Sequence, residues 1–206
     1  MRQDWLARSA TCSVILACPL AVAWAGFSFE SPTEVVRGTV GEVIRILEDP
    51  QLKDPAKRLP RRRMLEEVIA ARFDYAEMSK RSLAAHWTPL TDAERGEFVE
   101  LFKSFLSDRY AEKIEGYGGQ QVSYLSERIE GTFAEVRTEL RSSKVAIPMD
   151  YRLFLNAGRW HAYDIIVDGV SLVKNYRSQF EKIIRADSYQ ELLKRLRERT
   201  VVESKK

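Results

Sequence analysis

Apolar residues in the first half of the chain recur every three or four positions, which is the spacing of one face of an α-helix. The first such run follows Ser31-Pro32-Thr33-Glu34, a pattern that suits the N-cap and first turn of a helix. Asp49-Pro50 ends this run. Further helices are predicted around residues 65–73, over about residues 75–87, and from a capping box at Thr91 and Glu94 to the glycines of residues 116–119.

The apolar period changes from about 3.6 to 2 after residue 120. Ala134, Val136, Thr138 and Leu140, for example, alternate with mostly polar neighbours. A strand with one apolar face favours an antiparallel sheet whose apolar side is covered by helices. Strands are predicted over residues 121–130, 133–140, 145–155 and 159–168, with a turn at residues 156–158.

Two helices are predicted after the strands, the first capped by Ser171 and the second by Ser188 with Glu191. The order of elements indicates an α+β fold. It has a helical N-terminal half, a curved antiparallel sheet of about four strands with one face covered by helices, and two C-terminal helices. The predicted domain spans residues 26–200, and residues 201–206 form a charged tail.

The first 25 residues have the pattern of a secretory signal peptide. Arg2 and Arg8 precede an apolar stretch that is shorter than the roughly 20 residues of a membrane-spanning helix. The stretch ends in Ala23-Trp24-Ala25, so we expect cleavage after Ala25 and export to the periplasm. A retained anchor, a buried first helix and a lipoprotein acylated at Cys18 stay open as alternatives.

Composition narrows the function classes. Both cysteines, Cys12 and Cys18, lie in the segment to be removed, so the mature chain must derive its stability from a hydrophobic core and not from disulfides. The net charge of +3 is spread along the chain and does not favour nucleic-acid binding. We expect a monomer without a cofactor. A metal site is not expected either, because the two histidines are far apart and have no partner at ligand spacing.

Sequence motifs for catalysis are scarce. The chain has no G-x-S-x-G, G-x-G-x-x-G or P-loop sequence. Asp164 and Asp168 share a face of one predicted strand, which allows a paired-carboxylate site for acid–base chemistry. The structural alternative, which we favour, is that these carboxylates accept hydrogen bonds that fix the turn into the helix at Ser171.

A run of basic residues lies at or just before the start of the second predicted helix, where positive charge opposes the helix dipole. The run is either a solvated face or a docking surface for an acidic partner or an anionic membrane. Its members are Lys57, Arg58, Arg61, Arg62 and Arg63.

The C-terminal third carries a longer motif. Residues 160–171 read W-x-x-Y-D-x-x-x-D-G-V-S, and residues 176–180 read Y-R-S-x-F. Together with Trp87 and the helical region that follows it, this pattern resembles the toluene-tolerance, or MlaC, family over roughly residues 33–197. The chain departs from that pattern at Ala84-Ala85, where a glycine is expected before the tryptophan.

The resemblance implies a soluble periplasmic phospholipid carrier and not an enzyme. Such carriers pass lipid between an outer-membrane lipoprotein complex and an inner-membrane ABC transporter complex, and so maintain outer-membrane lipid asymmetry. The implied fold has a deep apolar cavity between sheet and helices. Two alternatives stay open: an enzyme acting on a small hydrophobic substrate, and an envelope scaffold with a filled core.

The cavity would be lined by apolar and aromatic residues on the converging elements, although any one of them could equally belong to an ordinary core. The residues assigned to lipid contact are Phe98, Leu101, Phe102, Phe105, Tyr110, Met149, Tyr151, Leu153, Trp160, Tyr163, Ile165, Val167, Val170, Val173, Tyr176 and Phe180.

Overall fold

The structure is a computed structural model that describes residues 30–143 and 145–199. The predicted signal peptide and charged tail therefore lie outside the described residues. The described elements are α1 (Pro32–Glu48), α2 (Arg58–Ala70), α3 (Tyr75–Leu83), α4 (Asp92–Glu115), β1 (Gln121–Glu130), β2 (Phe133–Arg141), β3 (Ala146–Asn156), β4 (Arg159–Val167), β5 (Val170–Ser171), α5 (Leu172–Ala186) and α6 (Tyr189–Arg197).

Helix boundaries follow the predicted capping residues. The Ser31 hydroxyl accepts a hydrogen bond from the backbone N–H of Glu34 at 3.2 Å, which fixes the start of α1. Thr91 and Glu94 form a reciprocal capping box at the start of α4. At the starts of α5 and α6, the Ser171 hydroxyl accepts a hydrogen bond from the backbone N–H of Lys174 and the Ser188 hydroxyl accepts one from that of Glu191. Each such cap stabilises its helix by about 1 kcal/mol, so these polar residues determine where the helices begin.

The strands form one antiparallel sheet in the order β1-β2-β3-β4-β5. The α+β fold, with helices before and after the sheet, is confirmed. Four strands have the predicted positions, and β5 is an additional strand of two residues. Period-2 alternation needs more than two residues to be recognised, and the β5 segment therefore read as part of a turn.

Two tight turns join β3 to β4 and β4 to β5. Ala157 and Gly158 have φ values of 47° and 75°, and Asp168 and Gly169 have values of 49° and 77°. Two consecutive residues with positive φ are the requirement of a type I′ hairpin turn. The predicted turn at residues 156–158 is thus confirmed. Asp168 and Gly169 form a second turn of the same type.

Helix α1 covers one part of the apolar sheet face. Val35 and Val36 are buried against Val136 and Leu153 of the neighbouring strands. The cross-strand register places Val136 opposite Tyr151, and Thr138 opposite Met149, on this same face. We call it the inner face of the sheet, because residues that pair directly in an antiparallel sheet point to the same side.

Ala84 at the end of α3 has a strained backbone. Its φ of 50° and ψ of −117° fall in a region that glycine enters freely and that residues with a Cβ atom avoid. It also belongs to the Ala84-Ala85 pair that stands where the family resemblance leads us to expect a glycine. The conformation of Ala84 supplies the physical reason for that expectation.

Ala84→Gly is therefore expected to raise the free energy of unfolding by about 1 kcal/mol, since it removes this strain. For a chain of this length, that gain raises the melting temperature by about 2–4 °C. Thermal unfolding followed by circular dichroism measures the change. The neighbouring Ala85→Gly is the control and should lower the melting temperature or leave it unchanged. Equal shifts for both variants would contradict the strain at Ala84.

Candidate functional site

Three separate clusters make up the buried core of the described residues. The first joins α3, α4, α5 and α6 and centres on Phe102 and Phe180. The second joins α1 to β2, β3 and β4. The third joins α1 and α2 around Ile46 and Leu65, with Ile114 and Tyr117 packed against it. The buried core is therefore contributed by three different sets of packed elements.

The inner face of the sheet extends beyond the second cluster. Met149 pairs with Val167, and Tyr151 with Ile165, which places all four on the inner face. Met149, Ile165 and Val167 are only half-buried, and among the described residues they pack against none of the three clusters. These three residues therefore present partly accessible apolar surface on the inner face.

Tyr151 lies on the same face and packs against the second cluster. Desolvation by burial raises the pKa of its phenol well above the ordinary value. The hydroxyl donates a hydrogen bond to the Met149 sulfur, a weak acceptor, at 3.2 Å.

Six of the residues assigned to lipid contact lie instead in the tightly packed first cluster. Phe98, Phe102 and Phe180 are fully buried, and their rings contact one another and the ring of Tyr176 at centroid distances of 5.2–5.7 Å. Leu101 and Tyr110 pack at the edge of this cluster and keep some accessible surface. The six are Phe98, Phe102, Phe105, Val173, Tyr176 and Phe180.

Four further assigned residues differ in position and burial. Leu153 and Trp160 are buried in the second cluster. The ring of Tyr163 contacts Phe133 and lies 4.0 Å from the guanidinium carbon of Arg81. Val170 pairs with Val167 and so lies on the inner face, but it is 55% exposed.

A β-bulge in the pairing of β3 with β4 explains the position of Tyr163. Leu153 pairs with Ala162 while Arg152 pairs with Asp164, so Tyr163 is an extra residue without a cross-strand partner. The extra residue reverses the alternation along β4. Trp160 and Ala162 before the bulge therefore share the inner face with Ile165 and Val167 after it.

Partly buried residues of α1 and β1 also pack at the edges of the second and third clusters, and the sequence assignment did not include them. Val40 and Tyr124 lie at the edge of the second cluster, and Val43 lies at the edge of the third. The guanidinium carbon of Arg37 lies 4.4 Å from the Tyr124 ring centroid, and desolvation raises the pKa of that phenol. The helical spacing of the α1 valines was visible in the sequence. The sequence did not distinguish a residue at the edge of a buried cluster from one in its interior.

Asp164 has a structural role. Its side chain is 2% exposed, and it accepts a hydrogen bond from the Ser171 hydroxyl at 2.6 Å and one from the backbone N–H of Val173 at 3.0 Å. Arg152 lies 3.5 Å from the same carboxylate. Asp168, in contrast, is exposed in the turn before β5. The expectation that a carboxylate fixes the turn into the helix at Ser171 is confirmed for Asp164.

The basic run divides into two groups. Arg61 forms an ion pair with Glu115 at 3.2 Å, and Arg62 pairs with Asp108 and Glu66, so these two guanidinium groups tie α2 to α4. Lys57, Arg58 and Arg63 are exposed, and Arg58 also lies 3.5 Å from Glu115. The surface that a partner could reach is therefore formed by these three residues.

None of the described helices is long and apolar enough to cross a membrane. The described residues also contain no group of three or more His, Cys, Asp or Glu side chains placed to hold a metal ion.

The fold defines a class of protein: an α+β domain in which helices before and after an open antiparallel sheet of five strands pack against it. A profile described as MlaC protein matches residues 37–198, and the chain belongs to the MlaC family. The expected family is thereby confirmed.

The fold is similar to that of a phospholipid-binding protein from Ralstonia solanacearum, whose structure was solved in complex with a phospholipid. The TM-score is 0.71 at 25% sequence identity, and the match covers 81% of this chain and 94% of the other. The family and this structure indicate a binding or carrier protein and not an enzyme.

Proposed function

We propose that this protein is a periplasmic phospholipid carrier that receives the acyl chains in the space beneath the inner face of the sheet. The observation that carries the proposal is the group of half-buried residues Met149, Tyr151, Ile165 and Val167, which present partly accessible apolar surface on the inner face of the sheet. The similar Ralstonia solanacearum protein binds phospholipid in the same fold, which supports this ligand class. Mass spectrometry of gently purified protein tests the proposal, because co-purifying phospholipid is expected without any being added.

The energetics suit a carrier. Removing an acyl chain from water gains about 0.8 kcal/mol per methylene, so a lipid in an apolar cavity escapes into water very slowly. The bilayer is the relevant competitor, and there the chains are already out of water. The carrier must therefore match the bilayer approximately, and a partner must shift the balance by binding the loaded and empty states differently. Slow loss to water and fast release at a partner are then compatible.

The arrangement of polar groups favours a carrier over the enzyme alternative. The carboxylate of Asp164, the strongest sequence candidate for acid–base chemistry, is engaged in capping α5. The Tyr151 phenol is protonated at neutral pH, and desolvation raises its pKa further above the ordinary value. These groups hold the fold and border the apolar space without forming a nucleophile–base pair.

We extend the proposal to location and route. The chain would be exported, cleaved after Ala25, and would shuttle phospholipid between an outer-membrane lipoprotein complex and an inner-membrane ABC transporter complex to maintain outer-membrane asymmetry. Membership of the MlaC family supports this route. The mass of the mature protein tests the location: a chain beginning at Gly26 is expected, and one beginning at acylated Cys18 would contradict it.

The exposed part of the basic run is the proposed docking surface. Exchanging Lys57 and Arg63 for glutamate should slow phospholipid transfer to a reconstituted inner-membrane transporter complex several-fold at low salt, because electrostatics chiefly sets the encounter rate. Wild-type transfer should slow as salt rises, since exposed charges are screened beyond about 8 Å at physiological ionic strength. Stopped-flow transfer of a fluorescent phospholipid measures both effects.

The matched control reverses two exposed lysines of α5, Lys174 and Lys182, and so produces the same change in net charge elsewhere on the surface. The control should transfer lipid at the wild-type rate. If the two variants behave alike, the run is a solvated face and not a docking surface. Arg61 and Arg62 are left intact, because their ion pairs with α4 would confound a kinetic test with loss of stability.

A further inference from the structure

The helix α2 buries little of its own surface. Of its 13 residues, all of which the structure describes, only Leu65 is buried. Leu59 is 69% exposed, more than any other large apolar side chain of the described residues, and Met64 is 38% exposed. A surface helix ordinarily turns its large apolar side chains toward the core, so the outward side of α2 is an exception.

The exposed apolar residues of α2 are neighbours. Leu59 precedes Pro60, and Pro60 and Met64 lie one helical turn apart. Pro60 is also exposed, and a helix tolerates proline in its first turn, because the missing N–H would have no partner there. Leu59, Pro60 and Met64 therefore form one strip on the outward side of α2, which we call the apolar strip.

The surface around the apolar strip is positively charged. Three exposed cations, Lys57, Arg58 and Arg63, stand against one exposed carboxylate of α2, that of Glu67. Within residues 30–143 and 145–199, neither Lys57 nor Arg63 forms an ion pair. These two cations are therefore available to an acidic partner.

The start of α2 lacks the features that stabilise the other helix starts. Lys57 is the N-cap residue, and its side chain makes no capping hydrogen bond. The first turn contains no acidic residue, and its positive charge opposes the helix dipole. Each of these features costs the helix about 1 kcal/mol or less. Departures from local rules concentrate at functional sites, so binding explains this charge pattern better than the stability of α2 does.

Ion pairs hold the apolar strip in place from the inward side of α2. Arg61 Nη2 lies 3.2 Å from Glu115 Oε2, and these two side chains are only 16% and 14% exposed. Arg62 pairs with Asp108 of the same helix, α4. A partner therefore meets a surface that is already ordered, which lowers the entropy cost of binding.

We infer that Leu59 and Met64 are the apolar anchors of the docking surface, and that its partner is a protein surface with an apolar pocket bordered by carboxylates. The exposed cations steer the partner, and the anchors hold the complex once it has formed. Charges then act mainly on the association rate, and the buried apolar contacts on the dissociation rate. The inference rests on the proposed function and adds to it the chemistry of the partner surface.

Binding kinetics of the mature protein with the reconstituted inner-membrane transporter complex test the inference. Leu59→Ser should raise the dissociation rate about tenfold, which corresponds to about 1.4 kcal/mol of lost apolar contact. The association rate should stay close to that of wild type. Adding Met64→Gln should raise the dissociation rate further. Exchanging Lys57 and Arg63 for glutamate should instead lower the association rate, most strongly at low salt.

Leu125→Ser is the matched control, because Leu125 is 58% exposed on β1, outside α2. It should leave both rate constants unchanged. Leu59→Ser should keep the wild-type melting temperature and the wild-type amount of bound phospholipid, since Leu59 belongs to none of the three clusters of the described residues.

The outcomes separate this inference from the carrier function. A wild-type dissociation rate in Leu59→Ser would overturn the anchors, and so would an equal increase in Leu125→Ser. Both results leave the carrier function standing. Wild-type protein that binds the complex but never contains phospholipid would overturn the carrier function and leave the docking surface standing.

Cosedimentation with phosphatidylglycerol vesicles that contain no transporter separates a protein partner from a membrane surface. Wild type should remain in the supernatant at physiological salt. Pelleting of the wild-type protein that Leu59→Ser abolishes would assign the apolar strip to an anionic bilayer and overturn the protein partner.

Discussion

Phe102→Ala is expected to lower the free energy of unfolding by about 3–5 kcal/mol. Phe102 is 0% exposed, and its ring lies 5.3 Å from that of Tyr176 and 5.2 Å from that of Phe180, measured between centroids. Removing the ring leaves a cavity in the first cluster that rigid neighbouring helices cannot close. Denaturant unfolding measures the loss of unfolding free energy, provided that the m value is the same for the variant and the wild type.

Met149→Ala is the informative comparison. Met149 is half-buried on the inner face and packs against none of the buried clusters within the described residues, so its loss should cost only about 1 kcal/mol. The same variant should lower the amount of bound phospholipid, whereas folded Phe102→Ala protein should keep it. A large loss of stability in Met149→Ala, with unchanged lipid content, would place this residue in a filled core and contradict the proposed cavity.

Asp164→Asn is expected to lower the free energy of unfolding by about 2–4 kcal/mol. The buried carboxylate accepts hydrogen bonds from the Ser171 hydroxyl and the Val173 backbone N–H and lies beside the Arg152 guanidinium. Hydrogen bonds to a charged group contribute about 1.5–3 kcal/mol each, and a neutral amide replaces them incompletely. Thermal and denaturant unfolding measure the change.

Asp168→Asn is the control for this prediction. Asp168 is exposed and has a φ of 49°, a conformation that asparagine adopts as readily as aspartate. Its stability should stay within about 0.5 kcal/mol of wild type. Similar losses in both variants would indicate a general effect of carboxylate removal. A stable Asp164→Asn protein that lost a hydrolytic activity would support the enzyme alternative.

The fold was largely predictable because its signals are local. Helix starts at Ser31, Thr91, Ser171 and Ser188 depend on side chains that bond to the backbone within three residues. Strand alternation and the 156–158 turn are equally short-range. β5 escaped prediction, because a two-residue strand has no period to detect.

The candidate site was less predictable, because it depends on what the core leaves unfilled. The sequence marks Phe102 and Met149 alike as apolar residues on converging elements. Only the assembled structure separates the packed α3–α6 cluster from the half-buried inner face. The bulge at Tyr163 could not be predicted from the sequence either. Its extra residue reverses the alternation of β4, so that Tyr163 does not share a face with Ile165 and Val167.

Electrostatic partners across the fold were also hidden from the sequence. In the sequence, Arg61 and Arg62 belong to one basic run. In the structure, Arg61 pairs with Glu115, 54 positions away along the chain, and Arg62 pairs with Asp108, 46 positions away. Long-range pairs of this kind follow from helix packing, which periodicity alone does not specify.

Native mass spectrometry of the protein, released from the periplasm and purified without detergent or added lipid, tests the central claim most directly. The predicted spectrum shows a chain that begins at Gly26 and carries adducts of phospholipid mass, and these adducts are reduced in Met149→Ala. Extraction and fragmentation identify the adduct as phospholipid. A spectrum containing only unliganded protein, which stays unliganded after incubation with phospholipid vesicles, would contradict the account.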